Sequence, residues 1–207
     1  MLKKSPQQER SRALVDSILE AATRILSARR LHEISTNHIA EVAGVGIGSL
    51  YQYFDSKEAI AESLLERHQV DSIAHANAVL LGSQGRVVER YRVMMRELLA
   101  LHERSRCLHL NLIQLNKHGV STSPAVNEHI GLTCRLLREE SPWMSEVSCM
   151  LHAHVLMRSV HTLVHCAVQL EDAECDRIAL EHYDMFALDY GRLASSRAAP
   201  VAFTAGK

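Results

Sequence analysis

Aromatic residues, glycine and proline are scarce in this sequence. Only 4% of its 207 residues are aromatic, and it contains 9 Gly and 4 Pro. Because strands favour aromatic residues and the turns between them favour Gly and Pro, this scarcity disfavours β-sandwiches and β-barrels. The hydrophobic content of 47% is nevertheless enough for a chain of this length to bury a core. We therefore expect an all-α protein.

Long apolar runs and closely spaced cysteines are also absent. The longest apolar stretches, such as 78–81, are far shorter than the ~18 residues that a membrane span needs. The five cysteines, at positions 107, 134, 149, 166 and 175, include no close pair, which argues against a disulfide framework. These absences predict a soluble, cytoplasmic protein with reduced thiols and no membrane partner.

Positive charge is concentrated at one end of the chain, although the formal net charge is only −1. Residues 1–30 contain 7 Lys and Arg against 3 Asp and Glu, whereas residues 58–207 contain 15 against 18. A positive amino-terminal end on a nearly neutral body suits a domain that contacts the phosphates of DNA.

Apolar residues recur at helical spacing through the amino-terminal third. This pattern predicts helices over 10–28, 36–43, 47–54 and 57 to about 81. Asp55 and Glu58 resemble a capping box at the start of the last of these helices. Gly44 and Gly46 lie in the short turn between the second and third helices. Two short helices joined by such a turn are typical of a helix-turn-helix, whose second helix enters the DNA major groove.

One stretch of the chain also carries a family resemblance. It starts at Thr36, continues through Ile39-Ala40 and Ala43-Gly44-Val45-Gly46-Ile47-Gly48, and ends with Ser49-Leu50-Tyr51-Gln52-Tyr53-Phe54-Asp55-Ser56-Lys57-Glu58-Ala59-Ile60. This stretch resembles the DNA-binding signature of the TetR family of bacterial transcriptional regulators, and the likeness covers roughly residues 10–65. Gly46 departs from the signature, since the family often has a serine there. The resemblance implies a regulator, more often a repressor than an activator, that a small hydrophobic molecule releases from a palindromic DNA operator.

We expect the DNA contacts to come from the same stretch. Gly48 and Ser49 leave room for the backbone to approach base edges, and Ile47 suits contact with a thymine methyl group. Tyr51, Tyr53 and Lys57 are expected to reach phosphates. The full set of predicted DNA-binding residues is Thr36, Gly46, Ile47, Gly48, Ser49, Tyr51, Tyr53 and Lys57.

The rest of the chain is predicted to form a second helical domain. Helices are expected over 86–102, 108–118, 124–140, 145–170 and 171–193. The fourth of these is apolar on nearly all sides and needs more cover than a single domain of this size provides. The resemblance implies that the last two helices pair with those of a second subunit in a homodimer. The predicted organisation is a DNA-binding domain over 1–57, a connecting helix over 57–81, a ligand-binding and dimerisation domain over 82–193, and a disordered tail over 194–207.

The resemblance also implies an effector site between the helices of the second domain. Methionine and aliphatic side chains with a few polar groups suit a small, mostly hydrophobic molecule. The residues predicted to line this site are Tyr91, Met95, Leu98, Leu112, Asn116, His129, Met157 and His161.

The 13 histidines leave a second interpretation open. His161 and His165 are four residues apart on one predicted helix near His154, and Cys149 and His152 are three apart, so both spacings suit metal ligands. The alternative function is therefore a metal- or redox-sensing regulator. The sequence contains no Cys-x-x-Cys, His-Glu-x-x-His, Gly-x-Ser-x-Gly or phosphate-cradling glycine motif, so we assign no metal ligand, no cofactor and no enzymatic activity.

Overall fold

Helices account for almost all the regular structure of this chain. The structure, a computed structural model, describes residues 9–115, 123–170 and 174–195, with side chains described as far as residue 187. Within these ranges the all-α prediction is confirmed, since no strand is present. The helices are α1 (Glu9–Leu26), α2 (Thr36–Ala43), α3 (Ile47–Tyr51), α4 (Lys57–Gly82), α5 (Val87–Arg104), α6 (Arg106–Ile113), α7 (Pro124–Glu140), α8 (Glu146–Leu170) and α9 (Cys175–Ser195).

The turn between α2 and α3 depends on local hydrogen bonds. The Ser35 hydroxyl caps α2 by accepting from the His38 amide at 3.2 Å. Gly44 ends the same helix with a φ of 67°, a left-handed conformation that glycine adopts without strain. The Val45 amide then donates to the Ala40 carbonyl at 3.0 Å, which closes the turn. These contacts set the angle at which α3 leaves α2.

The first helices share a core with a helix that is distant in sequence. Buried apolar residues of α1, α2, α3 and α4 meet around Leu50 and Phe54, which are fully buried. Leu108 and Leu112 of α6 belong to the same core. Leu112, predicted to line the effector site, therefore packs against the amino-terminal helices. We call this group of residues the amino-terminal core.

Helix α4 connects this core to the rest of the molecule. It begins after Ser56, whose hydroxyl accepts from the Ala59 amide, so the cap is Ser56 and the predicted Asp55 cap is wrong. Ile60 and Leu64 lie in the amino-terminal core, whereas Ala76 and Leu80 lie in a second core. At 1.5 Å per residue, the 26 residues of α4 span about 39 Å.

The second core is built by α4, α5, α7, α8 and α9. Its largest fully buried side chains include Tyr91, Met95, Leu156 and Tyr183. The Tyr183 hydroxyl donates to the Val88 carbonyl at 2.8 Å, which ties α9 to α5. The observed helix ends agree with the predicted ones to within a few residues, except that α6 ends at Ile113. The predicted tail lies almost wholly outside the described residues. In the described part of the chain, no helix combines the length and apolarity needed to cross a bilayer.

Candidate functional site

Helix α3 presents an open surface on one side and a packed one on the other. Leu50 is fully buried, whereas Ile47 and Tyr51 are exposed. A Cβ atom built on Gly48 meets nothing within 4 Å, so the outer side of α3 is free of protein contacts at this position. The arrangement leaves this side of the short helix available to a large partner.

The predicted DNA-binding residues fall into two groups by exposure. Thr36 is tied to Tyr51 by a 2.9 Å bond between their hydroxyl oxygens, which joins the start of α2 to the end of α3. The exposed or half-exposed group, all on or beside this surface, consists of Thr36, Gly46, Ile47, Gly48, Ser49 and Tyr51.

Tyr53 and Lys57 occupy different surroundings from this group. Tyr53 is 8% exposed and belongs to the amino-terminal core. The Lys57 ammonium donates to the Ile34 carbonyl at 2.9 Å and to the His32 carbonyl at 3.4 Å. Lys57 therefore holds the segment that enters α2, a structural role that the sequence pattern did not indicate.

A partly open cavity of about 70 Å³ lies between α4, α5, α7 and α8. Four of the eight residues predicted to line an effector site surround it: Leu98, His129, Met157 and His161. The cavity is also lined by Ala76, His102 and His165, which the sequence pattern did not indicate as lining residues. All three lie one or two helical turns from the assigned residues or on the facing helix α4.

The other four predicted lining residues are not brought to this cavity. Tyr91 and Met95 are fully buried in the second core and do not line the cavity. Leu112 packs in the amino-terminal core, as described above, and Asn116 lies outside the described residues. Periodicity places Tyr91 and Met95 on an apolar face correctly, but it does not tell core from cavity wall.

A buried polar network lies beside the cavity. The Tyr91 hydroxyl is 2.8 Å from His129 Nε2 and 2.6 Å from the Thr133 hydroxyl. His129 Nδ1 is 2.7 Å from the Asn77 side-chain oxygen. Burial lowers the pKa of His129 to about 4, so the ring is neutral at pH 7. This network holds α4, α5 and α7 together with an uncharged histidine.

A larger groove of about 550 Å³ runs along the surface between α1, α4 and α6. Its volume falls in the range of small-molecule sites, but of the predicted effector residues only Leu112 lines it. Charged side chains such as Glu20, Arg24 and Arg67 form part of its lining, and Arg67 pairs with Asp16 at 3.1 Å. The groove is therefore lined by charged side chains, in contrast to the mostly apolar cavity between α4, α5, α7 and α8.

Comparison with known proteins explains the architecture of the first helices. Residues 18–64 match the family model described as bacterial regulatory proteins of the tetR family, and they contain α2, the turn and α3. Residues 18–64 thus carry the amino-terminal domain of the tetR family of regulatory proteins. The resemblance found in the sequence is thereby confirmed.

The curated relatives align with only part of this chain. An uncharacterized HTH-type transcriptional regulator of Mycobacterium tuberculosis (strain H37Rv) is 40% identical over 58 residues, which are 28% of this chain and 29% of that protein. The HTH-type transcriptional repressor DrrR1 of Streptomyces coeruleorubidus is 31% identical over 124 residues, 60% of this chain and 43% of that protein. Both alignments thus span less than half the length of these relatives.

A solved structure extends the likeness of fold to almost the whole chain. A TetR-family transcriptional regulator from Pectobacterium atrosepticum matches with a TM-score of 0.68 over 91% of this chain and 95% of that one. The sequence identity is only 14%, so this match concerns the fold alone.

Several histidines meet where α4, α5 and α6 come together. His68 Nε2 lies 3.3 Å from His102 Nε2 and 3.2 Å from His109 Nδ1. All three ligand-capable nitrogens lie within 4.8 Å of one another. We call these residues the histidine triad. The rings of His161 and His165, 3.9 Å apart between centroids, lie beside it, with His165 5.0 Å from His109.

Burial makes these histidines poor bases. It lowers the pKa of His102 to about 4 and that of His165 to about 3, with further lowering from the neighbouring histidines. The pKa values of His68, His109 and His161 are lowered as well, mainly by burial. The rings are therefore neutral at pH 7, with lone pairs available on their unprotonated nitrogens.

Of the histidine and cysteine pairs that spacing suggested as metal ligands, only one has its side chains next to each other. His161 and His165 are neighbours, as expected for positions four apart on α8. His152 Nδ1 instead contacts the Ser148 carbonyl oxygen at 2.7 Å. Cys149 is buried and free, and burial raises the pKa of its thiol, which is opposite to the shift that activates redox cysteines. The residues of the histidine triad are far apart in the sequence, so no short spacing indicates that they meet.

Proposed function

We propose that this chain is a homodimeric, ligand-responsive transcriptional repressor that leaves a palindromic DNA operator when a small molecule binds. In this proposal residues 1–57 contact DNA, α4 connects, and residues 82–193 bind the effector and form the dimer. The observation that carries the DNA-binding role is the open side of α3, where Ile47, Gly48 and Tyr51 face outward. The inner side of this helix is held in the amino-terminal core by the buried Leu50.

This surface suits the major groove for steric reasons. The absence of a side chain at Gly48 lets the helix backbone come close to base edges, and Ile47 offers an apolar group to a thymine methyl. Tyr51 and Thr36, joined through their hydroxyls, supply polar groups at the border of the surface, where phosphates of a bound duplex would lie. The positive charge of the first 30 residues favours the same partner.

The proposed dimer rests on apolar side chains that α8 and α9 leave uncovered. Val147, Leu151 and Val155 follow one another at four-residue spacing on α8 with 81%, 63% and 37% of their surface exposed. Ile178 and Met185 are exposed on α9. Large exposed apolar patches mark interaction sites, and a second copy of α8 and α9 offers a matching apolar surface.

The proposed effector site is the partly open cavity that Leu98, His129, Met157 and His161 line. Its apolar wall with a few histidine nitrogens fits a hydrophobic compound with one or two hydrogen-bonding groups. Its volume of about 70 Å³ is well below the ~300 Å³ at which small-molecule sites begin. An effector of that size must therefore move α5 and α8 apart, which supplies the conformational change that the mechanism requires.

The DNA-binding role is tested by adding a negative charge to the open side of α3. An operator is first selected from random duplexes with the parent protein. The Gly48→Glu variant should then lose specific binding and approach the non-specific level, a loss of roughly 10³-fold or more, because the carboxylate meets the phosphates and fills the space of the base edges. Affinity is measured by fluorescence anisotropy at fixed salt concentration.

Gly82→Glu is the matched control for this experiment. Gly82 ends α4, and a Cβ atom built there also meets nothing within 4 Å, so both substitutions add the same charge at open helical positions. The control should bind the selected duplex like the parent. Equal affinity of the two folded variants for the selected duplex would contradict the proposed role of α3.

A further inference from the structure

The meeting point of α4, α5 and α6 has the composition of a metal site. We infer that His68, His102 and His109 bind one divalent transition-metal ion of the Zn²⁺ type. The site is built by three separate helices, and its residues differ from the histidine and cysteine pairs that spacing alone singles out. Its effect on DNA binding, argued below, rests on the proposed function, whereas metal binding itself does not.

Two of the three nitrogen–nitrogen separations match tetrahedral coordination, and the third lies within 4.8 Å. Zn–N bonds of 2.0–2.1 Å at tetrahedral angles place neighbouring ligand nitrogens about 3.3 Å apart. The observed separations from His68 Nε2 are 3.3 Å to His102 Nε2 and 3.2 Å to His109 Nδ1. An ion thus fits between these nitrogens with small side-chain adjustments.

The proton inventory of the triad also favours a cation. His102 Nδ1 lies 2.6 Å from the Leu98 carbonyl oxygen, so the proton of this neutral ring is on Nδ1 and Nε2 presents a lone pair to the triad. Such a bond from the far nitrogen to a backbone carbonyl is usual for metal-binding histidines. A metal ion would accept this lone pair together with those of His68 Nε2 and His109 Nδ1 when the protons of these two neutral rings are on their other nitrogens.

The donor types define the class of ion. The ligands are three neutral imidazoles, which suit Zn²⁺, Co²⁺, Ni²⁺ and Cu²⁺, whereas Mg²⁺ and Ca²⁺ prefer oxygen. A small cavity of about 50 Å³, lined by the triad and by His161 and His165, adjoins the site. This space accommodates the fourth ligand, either a water molecule or His165.

The position of the triad connects an ion to the DNA-binding end. His68 lies on α4, which runs from the second core into the amino-terminal core, and His109 lies on α6 between Leu108 and Leu112. Leu108 and Leu112 pack in the amino-terminal core. Binding one ion would therefore fix the helices that carry α2 and α3 relative to the effector domain.

Cobalt titration of the metal-free full-length protein tests the site directly. Co²⁺ in a tetrahedral nitrogen site gives strong ligand-field absorption in the visible range, and Zn²⁺ should displace it at a 1:1 ratio. His68→Gln and His109→Gln should weaken binding by at least the roughly 10- to 100-fold that loss of an outer-shell partner costs. His68 is half-buried, so His68→Gln remains informative if His109→Gln does not fold, which circular dichroism reports.

His182→Gln is the matched control. His182 is exposed on α9, where its Nδ1 lies 2.9 Å from the Ile178 carbonyl oxygen of the same helix. Co²⁺ absorption should be unchanged in this variant. Absence of absorption in the parent, or equal absorption in parent, His68→Gln and His182→Gln, would overturn the inferred site.

The regulatory part is tested with the selected operator duplex. One equivalent of Zn²⁺ should change the affinity of the parent by at least about 5-fold, the lower end of usual allosteric coupling, and leave His68→Gln unchanged. If Co²⁺ binds as expected but operator affinity is the same with and without Zn²⁺, the regulatory part fails and the site stands. If no duplex is selected with or without metal, the proposed function fails separately.

Discussion

At the scale of single residues, the molecule is distinguished by neutral histidines inside an apolar body. For His129, the neutral state of the ring has one cause, because burial alone lowers its pKa to about 4. Its hydrogen bonds to Tyr91 and Asn77 keep the uncharged ring satisfied. A protonated ring at this position would be a buried cation without a counter-charge, so stability must depend on pH.

We predict that His129 makes the protein sensitive to acid. The unfolded chain takes up a proton near pH 6.5, whereas the folded chain resists until about pH 4. The contribution of His129 is therefore complete above pH 6.5 and is lost as the pH falls through this window, by about 2 kcal/mol between pH 7 and pH 5. Urea unfolding of the parent and His129→Gln at both pH values measures the difference.

The other histidines around the same cavity determine how this experiment is read. His102, His161 and His165 also have lowered pKa values and act in the same direction, so the parent loses more than the contribution of His129. The variant should lose about 2 kcal/mol less than the parent over this range. The exposed His182→Gln should behave like the parent. Identical pH dependence of parent and His129→Gln would contradict the prediction.

At the scale of elements, α8 and α9 bury one side and expose apolar residues on the other. The buried side of α8 includes Cys149, Ala153, Leu156 and Val160, which belong to the second core. The opposite side carries Val147, Leu151 and Val155. A helix that is apolar on both sides needs cover on both, which is why we assign the second side to a partner subunit.

We predict that Leu151→Glu converts the dimer to a monomer. The new carboxylate would be buried without a partner in the subunit interface, at about 3–5 kcal/mol. Leu81→Glu is the matched control, because Leu81 on α4 is exposed to nearly the same extent, 61% against 63% for Leu151. Sedimentation velocity at micromolar concentration should show a dimer for the parent and for Leu81→Glu. A monomeric parent, or a dimeric Leu151→Glu, would exclude this interface.

At the scale of the whole molecule, two cores are joined by α4 and α6. Asn111 on α6 strengthens the junction, because its amide group donates to the carbonyls of Leu26 and Arg29 at 2.9 Å each. Its side-chain oxygen accepts from the Leu31 amide at 3.1 Å. The end of α1 is thereby fixed to α6. In the proposed mechanism, a change in the second core would reach α2 and α3 through α4 and α6.

We predict that filling the cavity between α4, α5, α7 and α8 blocks the effector. Ala76 lines it and is 5% exposed, so Ala76→Leu should occupy most of the ~70 Å³ while keeping the fold. Indole, benzyl alcohol and octanol serve as apolar probes with one hydrogen-bonding group. A probe that raises the melting temperature of the parent and weakens its operator binding should do neither in Ala76→Leu.

Ala78→Leu provides the control, because Ala78 is exposed on the same helix. It should respond to the probes like the parent. Equal stabilisation of Ala76→Leu and Ala78→Leu by a probe would mean that the compound binds elsewhere, and the groove between α1, α4 and α6 would become the next candidate.

Much of this protein is determined locally by its sequence. Helix ends follow from the Ser35 and Ser56 hydroxyls and from Gly44, whose effects act within a few residues. The helix-turn-helix signature is readable because it occupies one continuous stretch, from Thr36 to Lys57, in which all the spacings are short. The surface around Gly48 and Tyr51 follows from this local geometry together with burial of Leu50.

Only the tertiary structure decided which residues of distant segments meet. His68 lies 34 residues from His102 and 41 from His109, and no periodicity links positions on three helices. Leu112 and Met95 sit on apolar faces that periodicity identifies, but the packing partner decides between core and cavity. Helix spacing specifies which side of a helix is apolar, whereas the long-range packing of α4, α5, α6 and α8 specifies what that side contacts.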